Sequence, residues 1–148
     1  MLDEILNYLE INLTLGTAGQ PAAGQFADIQ KAGYEVVINL LPISSPKALP
    51  DEPAMVAQLG MQYISIPVIW DAPTASDLEL FFEAMARHSG RKIFVHCAMN
   101  MRVSAFVFLY RVLVEGIPPQ EAEMDMLMIW EPNPTWQQFI DQALASRR

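Results

Sequence analysis

From Ile93 to Val114 the chain is apolar for most of its length, and the break at His96 to Arg102 holds the only cysteine, Cys97. Ile93-Phe94-Val95 has the length and the β-branched and aromatic content of a buried strand. Val103 to Val114 is apolar almost all round, the pattern of a helix buried on every side rather than one with a wet face. A buried strand leading into a buried helix needs further layers around both, which restricts the chain to architectures with a covered sheet.

The remaining pattern supplies those layers. Leu2 to Leu9 reads as a short helix and Ile11 to Leu15 as a short strand. Gln25 to Ala32 reads as a helix ended by Gly33, followed by the buried strand Tyr34 to Leu41. A proline-rich loop fills 42–50, Glu52 to Leu59 forms a helix stopped by Gly60, and Gln62 to Val68 is the next strand. Ser76 is expected to cap a helix that runs to His88, with Glu79 completing a capping box and Asp77 adding to the helix start. Ile93 to His96 is the strand that delivers Cys97. Pro118-Pro119 starts a helix to Trp130, and Asn133-Pro134 starts the last one. Strands alternating with helices predict an α/β fold with a mostly parallel central sheet and helices on both faces. In such sheets ligands collect at the carboxyl ends of the strands, which is where Cys97 falls.

At 148 residues, 52% of them hydrophobic, the expectation is a single domain spanning 1–148 with a sizeable core. The start, Met1-Leu2-Asp3-Glu4-Ile5-Leu6, lacks the basic and long apolar regions of a secretory signal, and the apolar runs at 34–41, 62–70 and 103–114 are too short to cross a bilayer. A cytoplasmic protein is expected. The net charge of −8 is uneven: residues 1–80 carry two basic side chains, Lys31 and Lys47, against ten acidic ones, whereas residues 81–148 carry seven of each. Such a surface disfavours nucleic acid and anionic membranes as partners. A small oxyanion held locally feels that field less. The oligomeric state is not legible. One cysteine excludes an internal disulfide and leaves no resolving thiol.

The strand-loop-helix junction suggests a specific chemistry. The first turn of the helix aims unpaired N–H groups and the positive end of its dipole at the sulfur, which favours the nucleophilic thiolate. Arg102 offers a planar fork of donors, so Ala98, Met99, Asn100, Met101 and Arg102 would bind a phosphate- or sulfate-like oxyanion beside the nucleophile. A buried structural cysteine with a surface arginine is the alternative.

The segment His96-Cys97-Ala98-Met99-Asn100-Met101-Arg102-Val103-Ser104 resembles the signature of the cysteine-dependent phosphatases: His-Cys, five residues, Arg, then Ser or Thr. Here four residues separate Cys97 from Arg102, so the arginine comes one position early. Counted from the cysteine, Asn100 stands where those enzymes have a loop glycine and Ser104 where they have the hydroxyl. Asn tolerates a left-handed backbone better than most residues, which suits it to that position. Cys-x-x-Asn-x-Arg also resembles the shorter loop of rhodanese-like sulfurtransferases. Across most of the chain, Thr17-Ala18-Gly19-Gln20-Pro21, Val36-Val37-Ile38-Asn39-Leu40, Tyr63-Ile64-Ser65-Ile66-Pro67-Val68 and Pro73-Thr74 are similar to a bacterial family of small phosphatase-like domains. Some members of that family are fused to metallo-β-lactamase-like hydrolases.

The resemblance implies a phosphatase-like fold, no cofactor, and a phosphomonoester as substrate, either a phosphotyrosine peptide or a small molecule. Asp71, in Trp70-Asp71-Ala72-Pro73-Thr74, is either the general acid for the leaving oxygen or a turn aspartate before Pro73. His96 is expected to point away from the ligand and support the loop. Ser104 is expected to cap the helix or donate to the thiolate. His88 is remote, and no His or Cys spacing suits a metal. Gln20 has no evident role. Met124, Met126, Met128, Trp130 and Trp136 are expected to pack in the core, with a dimer face or a lid over the site as alternatives. The reactions left open are phosphate ester hydrolysis through a phosphocysteine, sulfur transfer through a Cys97 persulfide, and oxyanion binding without turnover.

Overall fold

A computed structural model of the chain describes residues 1–146. Its frame is a five-stranded sheet made of β1 (Leu9–Asn12), β2 (Leu15–Ala18), β3 (Val36–Asn39), β4 (Gln62–Ser65) and β5 (Ile93–His96), in the order β1-β2-β5-β3-β4. Only β1 runs antiparallel, at one edge. The other pairings are parallel, with Ala18 and Asn39 in register with His96 on either side of it. The carboxyl ends of β2, β3 and β5 therefore come level.

Six helices follow the strands: α1 (Gln25–Lys31), α2 (Glu52–Gln58), α3 (Ala75–Arg87), α4 (Met101–Leu113), α5 (Pro119–Ile129) and α6 (Pro134–Ser146). Successive strand side chains point to opposite faces, so the inner strands feed two cores. Val36, Ile38, Ile93, Val95 and Cys97 join the larger one with α3, α4 and α6. Val37 and Phe94 join the smaller one with Phe26 and Ile29 of α1 and Val56 of α2. Helix α4 lies against the sheet under α3, α5 and α6, and Val103 to Leu109 are all buried. The expected mostly parallel α/β fold is the one observed. No helix among the described residues is long and apolar enough to cross a membrane.

Several local expectations are corrected. Leu2 to Leu9 is not a helix: a 3-10 turn spans Leu2–Glu4, only Ile5 of the next residues is buried, and Asn7 turns the chain with φ 51. Ile11 to Leu15 is not one strand but the tip of the β1–β2 hairpin, where Asn12 Oδ1 accepts from the Thr14 amide at 2.9 Å and Leu13 is 82% exposed. Helix α3 begins earlier than Ser76. Thr74 caps it by accepting from the Asp77 amide at 3.1 Å, while the Asp77 carboxylate accepts from the Thr74 amide at 3.2 Å, so the capping box uses Asp77 and not Glu79. Of the three methionines assigned to the core, Met126 is buried, whereas Met124 and Met128 are 68% and 70% exposed. The buried residues of α5 are Ala122 and Met126, one turn apart on the same side of the helix.

Candidate active site

Cys97 leaves the end of β5 between the tips of β2 and β3. Its amide donates to Ala18 O at 3.3 Å, and the Leu40 amide donates to His96 O at 2.9 Å. Strand alternation turns the Cys97 side chain toward α4 and His96 toward α1 and α2, and both are fully buried. Asn100 then adopts the left-handed conformation, φ 67, immediately before α4. A left-handed residue followed by helical ones makes successive amides converge, a geometry that binds anions. No side chain caps the first turn of α4, so its leading N–H groups have no such competitor.

The loop is held from behind. Ala98 O accepts from the Gln20 amide at 3.0 Å, and Met99 O accepts from Asn7 Nδ2 at 3.0 Å. Asn100 Nδ2 donates to Asn7 O at 2.9 Å and to Thr17 Oγ1 at 3.1 Å. Since a peptide plane points its C=O and the following N–H in opposite directions, the bond from Ala98 O to Gln20 turns the Met99 N–H away from the 19–20 turn. Gly19 makes this close approach possible, because a Cβ there would lie 2.5 Å from Ala98 O.

Arg102 occupies the first turn of α4 with its Cζ 5.2 Å from the centroid of the Trp70 ring. Its Nε is buried and has no hydrogen-bond partner among the described residues, leaving a donor available to a ligand. Trp70 belongs to a group of three indoles, with ring centroids 5.4 Å from Trp130 and 5.8 Å from Trp136. Trp136 Nε1 donates to Trp70 O at 2.9 Å. The residues assigned to core packing near the C-terminus thus fix the platform on which the guanidinium lies.

Asp71 follows Trp70 in a turn closed by the Ala72 amide and Ile69 O, and it is exposed. It lies beside the arginine platform in sequence, and no hydrogen bond or ion pair among the described residues joins it to Cys97 or Arg102. Ser104 does not cap α4: its hydroxyl donates to Met101 O at 2.9 Å and accepts from Trp130 Nε1 at 2.9 Å. A serine four residues inside a helix reaches the preceding turn's carbonyl more easily than the helix end.

Nothing along the chain marks the partner of His96. Its Nε2 lies 2.6 Å from Oε2 of Glu52, a carboxylate 1% exposed at the start of α2, and its Nδ1 lies 3.4 Å from Cys97 O. Gln20 Nε2 donates to Glu52 Oε1 at 2.8 Å, which gives that glutamine a place beside the loop. Burial pushes the nearby Tyr63 hydroxyl above its ordinary range, and the Glu52 carboxylate adds to the effect. Glu52 resembles any acidic residue in a first helical turn, and the 44-residue separation from His96 leaves no local pattern. His88 is buried at the other end of the sheet, held below the usual histidine range by burial and by Arg91 and Arg87. Among the described residues, no three His, Cys, Asp or Glu side chains gather as a metal site.

No family model matches the chain. A DUF442 protein of Shewanella putrefaciens CN-32 is 37% identical, and its crystal structure superposes with a TM-score of 0.91 over 99% of this chain and 96% of that one. The chain belongs to the DUF442 family of phosphatase-like proteins. The "Beta-lactamase hydrolase-like protein" of Xylella fastidiosa strain Temecula1 is 29% identical over 121 residues, which are 80% of this chain and 28% of that protein. The chain thus spans little more than a quarter of that curated relative, in keeping with the family's occurrence in larger fusions. A crystal structure of Pseudomonas aeruginosa TpbA in complex with phosphotyrosine shares the fold, with a TM-score of 0.67 and 19% identity over 95% of this chain and 82% of that one.

Proposed function

We propose that this DUF442 protein is a cysteine-dependent phosphatase acting on a phosphomonoester, either a phosphotyrosine peptide or a small molecule. The observation that carries the reading is the placement of Cys97 at the carboxyl end of β5, before left-handed Asn100 and the uncapped first turn of α4. In the proposed reaction Cys97 Sγ attacks phosphorus while the loop amides and Arg102 hold the non-bridging oxygens. The bond from phosphorus to the leaving oxygen breaks, and that oxygen takes a proton from Asp71. Water then adds to phosphorus, Asp71 accepts its proton, and the S–P bond breaks to release phosphate and the thiolate. Oriented amides and the guanidinium supply most of the stabilisation, because charge develops on the oxygens they face. The complex of TpbA with phosphotyrosine supports an aryl phosphate as the first compound to test.

The four-residue spacing from Cys97 to Arg102 favours a second reading, sulfur transfer through a Cys97 persulfide. One experiment separates the two. Purified protein and Cys97→Ser are assayed with p-nitrophenyl phosphate and with thiosulfate plus cyanide. Phosphate release by the wild type alone is the expected outcome. Sulfur transfer without phosphate release replaces the first reading with the second, and phosphate binding with neither activity reduces the site to an oxyanion cradle.

A further inference from the structure

Glu52 is a buried carboxylate that the proposed reaction does not use. It lies below the Cys97 loop with both oxygens engaged, Oε1 by Gln20 Nε2 at 2.8 Å and Oε2 by His96 Nε2 at 2.6 Å. Gln20 Nε2 also donates to Pro21 O at 3.1 Å, so both its contacts are acceptors and its amide orientation is fixed. His96 is also placed between acceptors, since Cys97 O, 3.4 Å from Nδ1, can only accept.

We propose that Glu52 is a positioning residue of the Cys97 site, fixing a proton on His96 Nδ1 toward the Cys97 carbonyl and tying the loop to the Gln20 turn. This deepens the phosphatase reading and rests on it for the catalytic consequence. Of the three possible proton counts, a neutral ring donating through Nε2 to an ionised Glu52 would bury a net negative charge and leave a bare Nδ1 facing the lone pairs of Cys97 O, so two arrangements remain. Either the ring is doubly protonated and donates through Nε2 to a carboxylate, or Glu52 carries the proton and donates to a neutral ring. Both are neutral as a pair, and both leave a hydrogen on Nδ1. Without Glu52, nothing among the described contacts distinguishes the ring nitrogens except the long contact to Cys97 O, and the neutral tautomer protonated on Nε2 becomes accessible. The Cys97 peptide then loses the donor behind it, and the loop loses one of its anchors.

Substitution at Glu52 gives a graded test. In Glu52→Gln the side-chain oxygen accepts from Gln20 and the amide donates to a neutral His96 Nε2, so the Nδ1 proton stays. In Glu52→Ala both contacts vanish. The chain holds two histidines, so nitrogen-15 imidazole spectra assigned with His88→Gln report the His96 protonation pattern directly. A proton on Nδ1 in the wild type and in Glu52→Gln, and its loss from a fixed position in Glu52→Ala, are the expected results. Alongside, hydrolysis of p-nitrophenyl phosphate and alkylation of Cys97 by iodoacetamide are measured. We expect kcat to fall about tenfold or more in Glu52→Ala and to recover most of that loss in Glu52→Gln, an effect equivalent to about one hydrogen bond. A bare Nδ1 in the wild type overturns the proposal, as does Glu52→Ala that matches the wild type in spectrum and rates, or loses rate with its His96 spectrum unchanged. If Glu52→Ala does not fold, the spectra of wild type and Glu52→Gln decide alone. If the wild type hydrolyses no phosphate ester, the phosphatase reading fails while the spectra and the alkylation rates still decide the role of Glu52.

Discussion

Replacing Gly19 by alanine tests the architecture of the site more sharply than removing a reactive group. A Cβ at this position would sit 2.5 Å from Ala98 O, 3.2 Å from Ala98 C and 3.2 Å from Leu6 O. All three neighbours are backbone atoms, so no side chain can swing aside. The turn and the Cys97 loop must separate by several tenths of an ångström, and the bond from the Gln20 amide to Ala98 O, 3.0 Å long, lengthens or breaks. Overpacking of this kind costs about 1–3 kcal/mol, and the weakened hydrogen bond adds about 1 kcal/mol. For a chain of this size 1 kcal/mol corresponds to about 2–4 °C, so Tm should fall by about 4–16 °C in a calorimetric or fluorescence melt. Because the peptide that moves belongs to the loop, phosphate affinity should fall as well. Gly24→Ala is the control: a Cβ there would meet nothing within 4 Å, its φ is −70, and stability should change by less than about 1 kcal/mol. A Gly19→Ala protein with wild-type Tm and wild-type phosphate affinity would refute the claim that the close contact shapes the loop.

Arg102→Lys keeps the charge but loses the planar fork and its stacking on Trp70, so phosphate affinity measured by calorimetry should drop at least several-fold. Asp71→Asn should slow hydrolysis of phosphotyrosine or an alkyl phosphate by roughly a hundredfold or more while changing p-nitrophenyl phosphate little, and equal effects on both esters would remove Asp71 as the acid. Trp70→Leu opens the indole group and frees the guanidinium, so KM for phosphate esters should rise and Tm fall together. His88 binds a proton less readily folded than unfolded, because burial and Arg91 and Arg87 oppose its charge. Stability should therefore decline as pH falls through the ordinary histidine value of 6.5, and urea titrations of His88→Gln should show a flatter dependence there.

The parts of the fold that follow a strict period were readable along the chain. Val36 to Asn39 and Ile93 to His96 announce themselves as buried strands, and the all-round apolar run after Arg102 becomes the central helix. Failures occur where short-range chemistry competes. Leu2 to Leu9 contains enough apolar residues for a helix, but Asn7 takes a left-handed turn to bond the Cys97 loop, a tertiary demand that local propensity does not record. At the start of α3, Thr74 and Ser76 offer equally plausible caps, and the choice of Thr74 is visible only once Asp77 is seen to return the bond. Cys97, Arg102 and the left-handed Asn100 lie in one segment and could be singled out from it. Glu52, Trp70 and Asn7 could not be placed at the site, because their roles come from pairings that span 44, 32 and 93 residues.

The exchange between Asn7 and the Cys97 loop ties the local stability of the site to the first turn of the chain. Leu6 O, Asn7 Nδ2 and Asn7 O serve Gly19, Met99 and Asn100, yet Ile5 is the only buried anchor among residues 1–8. Such a strap opens with far less free energy than the sheet behind it, since few apolar contacts must be broken. Under mild denaturant the Cys97 loop should loosen while α4 and the parallel strands still protect their amides from exchange. Release of the contacts from Leu6 and Asn7 would then disturb the loop well before the core unfolds.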